Sequence, residues 1–194
     1  MLARHNLLIT LRTFRRFKNS FIINLVGLST GLACTFLIFL WVSDEMAMDG
    51  FHEKSARLYQ VMEHQKYDEG LMTTTSTPGV LAEALAEEVP EVEHATSYTW
   101  VQDYTLSVED HNIKAEGFHT AEDFFHVFSF ELLQGDASQV LQDLQSVVIS
   151  EELAMRLFNT TENVMGRQVE IAHEEVYKVT GVFANVPVNS SMRF

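Results

Sequence analysis

Three side chains have the spacing of a metal site. His119, Asp123 and His126 stand at i, i+4 and i+7, so one helical face could bring two imidazoles and a carboxylate toward a cation. Their setting argues the other way, because Asp123-Phe124-Phe125-His126-Val127-Phe128 reads as a short helix whose aromatics plug a sheet, and no further ligand cluster accompanies it. The remaining histidines, His5, His52, His64, His94, His111 and His173, are scattered among polar neighbours and read as solvated. A serine nucleophile needs an elbow such as G-x-S-x-G, which is absent, and Ser150 has another task as the cap of the helix after it. Glu83, Glu87, Glu88, Glu91 and Glu93 could pair for acid–base work, but they fall mostly on the outer face of an amphipathic helix or just past it. No G-x-x-x-x-G-K-[ST] phosphate loop occurs, and the lone Cys34 leaves no redox pair. The expectation is a protein that is not an enzyme, with no metal and no cofactor.

Charge divides the chain in two. All 27 acids lie at or after Asp44, whereas Arg4, Arg12, Arg15, Arg16 and Lys18 precede the first long apolar run. Five of the 13 bases are thus spent before the run, and the remaining eight face 27 acids, a formal −19 from Ser43 onward. Such a surface repels nucleic acid and anionic headgroups. The run itself, Phe21 to Val42, carries no charge; about 33 Å of helix from these residues crosses a hydrocarbon core of about 30 Å. It continues through Trp41 and Val42 to Asp44-Glu45 without an Ala-x-Ala cleavage pattern, so a retained span is expected rather than a removed signal. The basic flank places the N-terminus in the cytoplasm and the acidic part outside it.

Inside the span, Gly27, Gly31 and Thr35 recur every four residues and offer a small-residue face on which another membrane helix could pack closely. Before it, Leu7, Leu8, Leu11 and Phe14 recur at helical spacing between the bases, which suits an amphipathic helix lying among lipid headgroups. Beyond it, Arg57 to Glu63 alternates as a strand, Thr73 to Ser76 reads as loop, and Thr77 caps a helix through Glu88 that Val89-Pro90 stops. Ala95 to Val108 and Ile113 to Phe118 form a hairpin about Asp110-His111-Asn112. Ser146 to Ile149 is an apolar strand, Leu153, Ala154, Leu157 and Phe158 make the buried stripe of a helix, and Gln168 to Ala172 and Tyr177 to Phe183 are closing strands. The order of elements is that of an α+β domain. The divisions are residues 1–19, a cytoplasmic basic amphipathic helix; 20–43, a transmembrane helix; and 44–194, the outer domain.

Several motifs in order then carry a resemblance: Asn24 to Ala33, Asp44-Glu45, Phe51-His52, Arg57-Leu58-Tyr59, Pro90-Glu91-Val92, Phe124 to Phe130, Gly135-Asp136, Ser146 to Glu151, Val179 to Phe183, and Pro187, Asn189 and Ser190. Together they resemble the start of a MacB-like/FtsX-like ABC transporter permease. The resemblance implies an inner-membrane permease subunit of an exporter, a periplasmic core domain after the first span, a later FtsX-like membrane domain, a cytoplasmic ATPase and a dimer. With no phosphate loop present, the ATPase is expected as a separate chain. The last residues, Ser191-Met192-Arg193-Phe194, fall where that pattern would continue, so the domain is expected to be incomplete and the chain a fragment. A single-span envelope anchor or sensor is the alternative; it has no need of the Gly27/Gly31/Thr35 face. In the permease reading little slack separates Val42 from the first strand near Arg57, so a flexible insert after Asp49 should uncouple transport from ATP hydrolysis.

Overall fold

A computed structural model describes residues 16–68 and 70–194. The chain divides into two units, Met1–Met48 and Asp49–Phe194. In the first, α1 (Lys18–Ala47) is an unbroken helix of 30 residues in which none is buried. It continues past the expected end at Ser43 because Asp44, Glu45, Met46 and Ala47 offer no breaker; the Met48 N–H closes it on the Glu45 carbonyl at 3.3 Å. The expected amphipathic helix before it, with Arg4, Arg12 and Arg15, lies outside the described residues. Arg16 is described, with its guanidinium 5.7 Å from the centre of the Phe17 ring, and Lys18 opens α1.

The second unit is α+β, as its sequence pattern indicates. Its first strands, β1 (Glu63–Tyr67) and β2 (Gly70–Thr74), form a separate two-stranded antiparallel hairpin. The strand expected over Arg57 to Glu63 is displaced: Ser55–Arg57 is a 3-10 turn, Leu58 is extended, and ladder pairing begins only at Glu63. Among the described residues no strand pairs with Leu58 to Met62, and Tyr59 stays 84% exposed. Thr73 and Thr74, expected in a loop, take part in β2, where branching at Cβ suits a pleated strand. Helix α2 (Leu81–Glu88) starts later than Thr77 implies: Val80 is its N-cap and no side chain caps it, because Pro78 and Gly79 form a turn that brings the Leu81 N–H to the Pro78 carbonyl at 3.0 Å.

The main sheet has six strands. β3 (Gln102–Val108) and β4 (His111–Gly117) make the expected hairpin, its turn one step earlier at Glu109-Asp110, with Glu109 at φ 53°. After the one-turn helix α3 (Phe124–Val127) comes β5 (Leu132–Gln134), which the sequence pattern missed. Then follow β6 (Ser146–Ser150), α4 (Glu151–Phe158), β7 (Gln168–Ile171) and β8 (Glu175–Phe183). β8 organises the sheet, pairing antiparallel with β7 and β5 and parallel with β6, while β7 hands on to β3 and β4.

Parallel pairing of β6 with β8 needs a crossover, and α4 lies on it. The Ser150 Oγ accepts the Leu153 N–H at 3.2 Å, Glu151 and Glu152 occupy the positive end of the helix dipole, and Asn159 ends the helix in the left-handed region. Ala154 and Leu157 of its inner face join Leu106, Ile113, Ile149, Val164, Val169, Val179 and Val182 in one core. Full burial of a side chain such as Leu157 is worth about 1.5–3 kcal/mol. Two glycines let β5 and β8 approach: a Cβ on Gly135, at φ 101°, would lie 2.5 Å from Cγ1 of Val140 and 2.8 Å from the Thr180 carbonyl oxygen, and one on Gly181 would lie 3.0 Å from Cγ1 of both Val140 and Val148.

Candidate functional site

The three residues with metal-site spacing do not meet. His119 lies edge-on to Tyr104, with ring centres 5.9 Å apart. Asp123 instead accepts from His94, Nδ1 to Oδ2 3.2 Å, and His126 stacks on the His94 ring at 4.8 Å with planes 13° apart. Nearly parallel stacked rings do not aim their nitrogens at one point. Among the described residues no three His, Cys, Asp or Glu side chains are arranged to hold a metal ion. His94, 29 positions from Asp123, carried no local signal of this pairing.

Glu83, Glu87, Glu88, Glu91 and Glu93 are all exposed. Glu93 lies 3.9 Å from the Lys54 ammonium and 3.7 Å from the Arg57 guanidinium, surface pairs worth at most about 1 kcal/mol. Ser150 is occupied as a cap.

On α1, Gly27, Gly31 and Thr35 fall on one face and line a shallow open groove with Ile23, Asn24, Leu28 and Leu32. A Cβ added at Gly27 or Gly31 would meet nothing within 4 Å. The Thr35 hydroxyl donates to the Gly31 carbonyl at 2.8 Å, which satisfies it inside the helix and leaves Asn24 as the other polar side chain of the groove. The face can therefore receive another helix without stranding a hydroxyl in lipid.

A second feature emerges only in three dimensions, at the point where the outer domain begins. The Asp49 N–H donates to the Asn189 carbonyl at 2.8 Å, and its Oδ1 accepts the Ser191 N–H, also at 2.8 Å. Asp49 sits at φ 55°, a left-handed conformation that Asp tolerates better than most residues. Three residues on, the reading of His52 as solvated fails, since it is 3% exposed and its Nδ1 accepts the Ser129 N–H at 3.1 Å. The Ser129 hydroxyl in turn accepts the Glu53 N–H at 3.1 Å. Burial holds the His52 pKa below its ordinary value, partly offset by the Asp49 carboxylate. The lead-in is thus fastened to two distant stretches of the domain, Phe128–Phe130 and Asn189–Ser191. In the sequence, Phe51-His52 stood only among the motifs that carry the resemblance.

The Asp49 and His52 bonds thus fasten one stretch of backbone to two others within the outer domain. A domain described as part of a permease protein from Porphyromonas gingivalis superposes with a TM-score of 0.55 at 26% identity over 67% of this chain and 57% of that one. The chain thus spans little more than half the length of that relative. The periplasmic region of MacB from Actinobacillus actinomycetemcomitans gives a TM-score of 0.45 at 25% identity, over 54% of this chain and 49% of that one. The extracellular domain of the noncanonic ABC-type transporter YknZ from Gram-positive bacteria gives 0.44 at 16%, over 63% and 65%. No curated protein sequence matches. The family described as MacB-like periplasmic core domain matches residues 21–194, from within α1 to the last residue, and the chain belongs to that family.

Proposed function

We propose that this chain supplies the first membrane helix and the periplasmic domain of a permease subunit in an ABC-type exporter, coupling a separate cytoplasmic ATPase to movement outside the inner membrane. One observation carries the reading: a 30-residue apolar helix, long enough to cross a membrane, leads without a linker into a MacB-like periplasmic core domain. The charge asymmetry supports an N-terminus in the cytoplasm, with residues 1–19 at the inner surface, 20–43 in the bilayer and 44–194 beyond it. Arg4, Arg12, Arg15, Arg16 and Lys18 meet lipid phosphates on that inner side. The open Gly27/Gly31/Thr35 face supports a multi-helix, dimeric permease over a single-span anchor or sensor. A formal −19 on the outer part makes nucleic acid an unfavourable partner.

The test has two arms. A reporter active only outside the cytoplasm, fused after Phe194, should be active, and the permease should co-purify with a separate ATPase chain as a complex that hydrolyses ATP. Activity of a cytoplasm-only reporter at the same position, or a chain that purifies without the ATPase and works without it, would overturn the reading.

A further inference from the structure

Among the described residues, His52 is the titratable side chain that the fold buries. Its ring centre lies 4.0 Å from that of Phe51, 5.5 Å from Phe128 and 5.5 Å, edge-on, from Phe130. Its Nδ1 accepts the Ser129 N–H. A backbone N–H can only donate, so that nitrogen must keep its lone pair, and the bond exists only for the neutral ring protonated at Nε2. A second proton would set two N–H groups against each other and put a cation where water is largely excluded.

We propose that His52 is a proton-released latch: neutral, it ties the lead-in Asp49–Glu53 to the backbone of Phe128–Phe130; protonated, it lets that tie go and leaves the lead-in held through Asp49 to Asn189 and Ser191 and through the Glu53 N–H on the Ser129 hydroxyl. The surroundings favour the neutral state. Phe128–Phe130 and Asn189–Ser191 contain no charged residue, and among the described residues Asp49 is the charge that acts on the ring. On the lead-in itself Glu53 and Lys54 follow; the Lys54 ammonium is taken up by the His126 carbonyl at 3.3 Å and by Glu93. The latch depends on the geometry of the domain and holds whether or not the domain serves an exporter.

The sign follows from linkage. Closed, His52 is held by burial below the ordinary histidine value of about 6.5; open, in water, that cause of the lowering is gone. Above about pH 6.5 the tie is at full strength. As pH falls through that value the open form takes up a proton that the closed form refuses, and the opening equilibrium rises up to about tenfold per pH unit. The rise stops once pH passes the lowered closed-state pKa.

The full chain in detergent micelles, with histidine labelled for NMR, gives the test. His52 should titrate below 6.5, and hydrogen exchange at the Ser129 N–H, corrected for intrinsic rate, should lose protection between pH 7.5 and 5.5. His52→Asn places a non-titrating oxygen near the position of Nδ1 and should keep the protection while abolishing its pH dependence. If that variant does not fold, the wild-type pair of measurements still decides. Titration of His52 at or above 6.5, flat protection of Ser129 across that range, or unchanged pH dependence in a folded His52→Asn each overturns the latch.

Discussion

The N–H of Ser191 donates to Oδ1 of Asp49 at 2.8 Å, joining residues 142 positions apart. With the Asp49 N–H on the Asn189 carbonyl, it fixes where the outer domain begins against one of its latest segments. Asp49→Ala should therefore lower the unfolding free energy of the outer domain by about 1–2 kcal/mol, from a lost hydrogen bond to a charged acceptor and a left-handed residue without a polar side chain. Asp49→Asn, which keeps an accepting oxygen, should recover about half. Denaturant unfolding of the full chain in micelles measures this, and equal midpoints for all three proteins would show that the bond holds nothing.

Gly135 and Gly79 make a contrasting pair. Alanine at 135 must displace Val140 or the Thr180 carbonyl and adopt φ 101°, so Gly135→Ala should cost about 2–4 kcal/mol. Gly79 has open space about the same position and no positive φ, so Gly79→Ala should stay within about 0.5 kcal/mol of wild type. Similar melting temperatures for the two variants would contradict the packing described for β5 and β8.

The hairpin β1–β2 should open first. It forms its own two-stranded sheet, and Tyr67, Leu71 and Met72 are each more than half exposed. A lone hairpin is marginal in water. Its amide protons should exchange at least about a hundredfold faster than those of β8, whose Val179 and Val182 are fully buried. Equal protection of the two regions would mean that the hairpin is held by something outside the second unit.

What the sequence made legible is what local chemistry decides. The α1 span announces itself by 22 uncharged residues, α4 by Ser150 and its Leu153/Ala154/Leu157 stripe, and the β3–β4 hairpin by its alternation. Pairing is a property of two segments, and there the pattern failed: Leu58 to Met62 has strand-like residues but no partner, and the three-residue β5 is a strand only because β8 lies beside it. His52 shows the same limit. Nothing adjacent to it in sequence reveals that Phe128 and Phe130 close over it, because that enclosure depends on contacts 76 and 77 positions away and beyond. Gly27, Gly31 and Thr35 were visible as a stripe, and the structure adds that a Cβ at either glycine would meet nothing within 4 Å.

That stripe gives a prediction that separates folding from assembly. Because a side chain at Gly31 would meet nothing in α1, Gly31→Leu should leave membrane insertion and the helix itself unchanged. In the full permease, however, it should block close helix approach and reduce the recovered assembled complex severalfold, with Gly31→Ala intermediate. Quantitative pull-down from solubilised membranes reads the loss, and full assembly of Gly31→Leu would favour the single-span alternative.

The connection between helix and domain allows the sharpest test of mechanical coupling. Only Met48 separates Ala47, the last residue of α1, from Asp49, the first residue of the domain held by long-range hydrogen bonds. In the proposed permease, a displacement of the helix end would have almost no chain before Asp49 to absorb it. Length added after Asp49, the position expected from the sequence, leaves Asp49 next to the helix and still bonded to Asn189 and Ser191, and separates it instead from His52. Length added after Met48 precedes every fastened residue. A Gly/Ser insert of about ten residues, with an r.m.s. span of roughly 17 Å, is more than enough to take up a shift of a few ångströms. In the full permease, the insert after Met48 should abolish transport while membrane insertion and ATP hydrolysis persist. The insert after Asp49 should weaken transport less, since the bonds through Asp49 still carry the displacement. Undiminished export with the insert after Met48 would rule out force transmission through this junction.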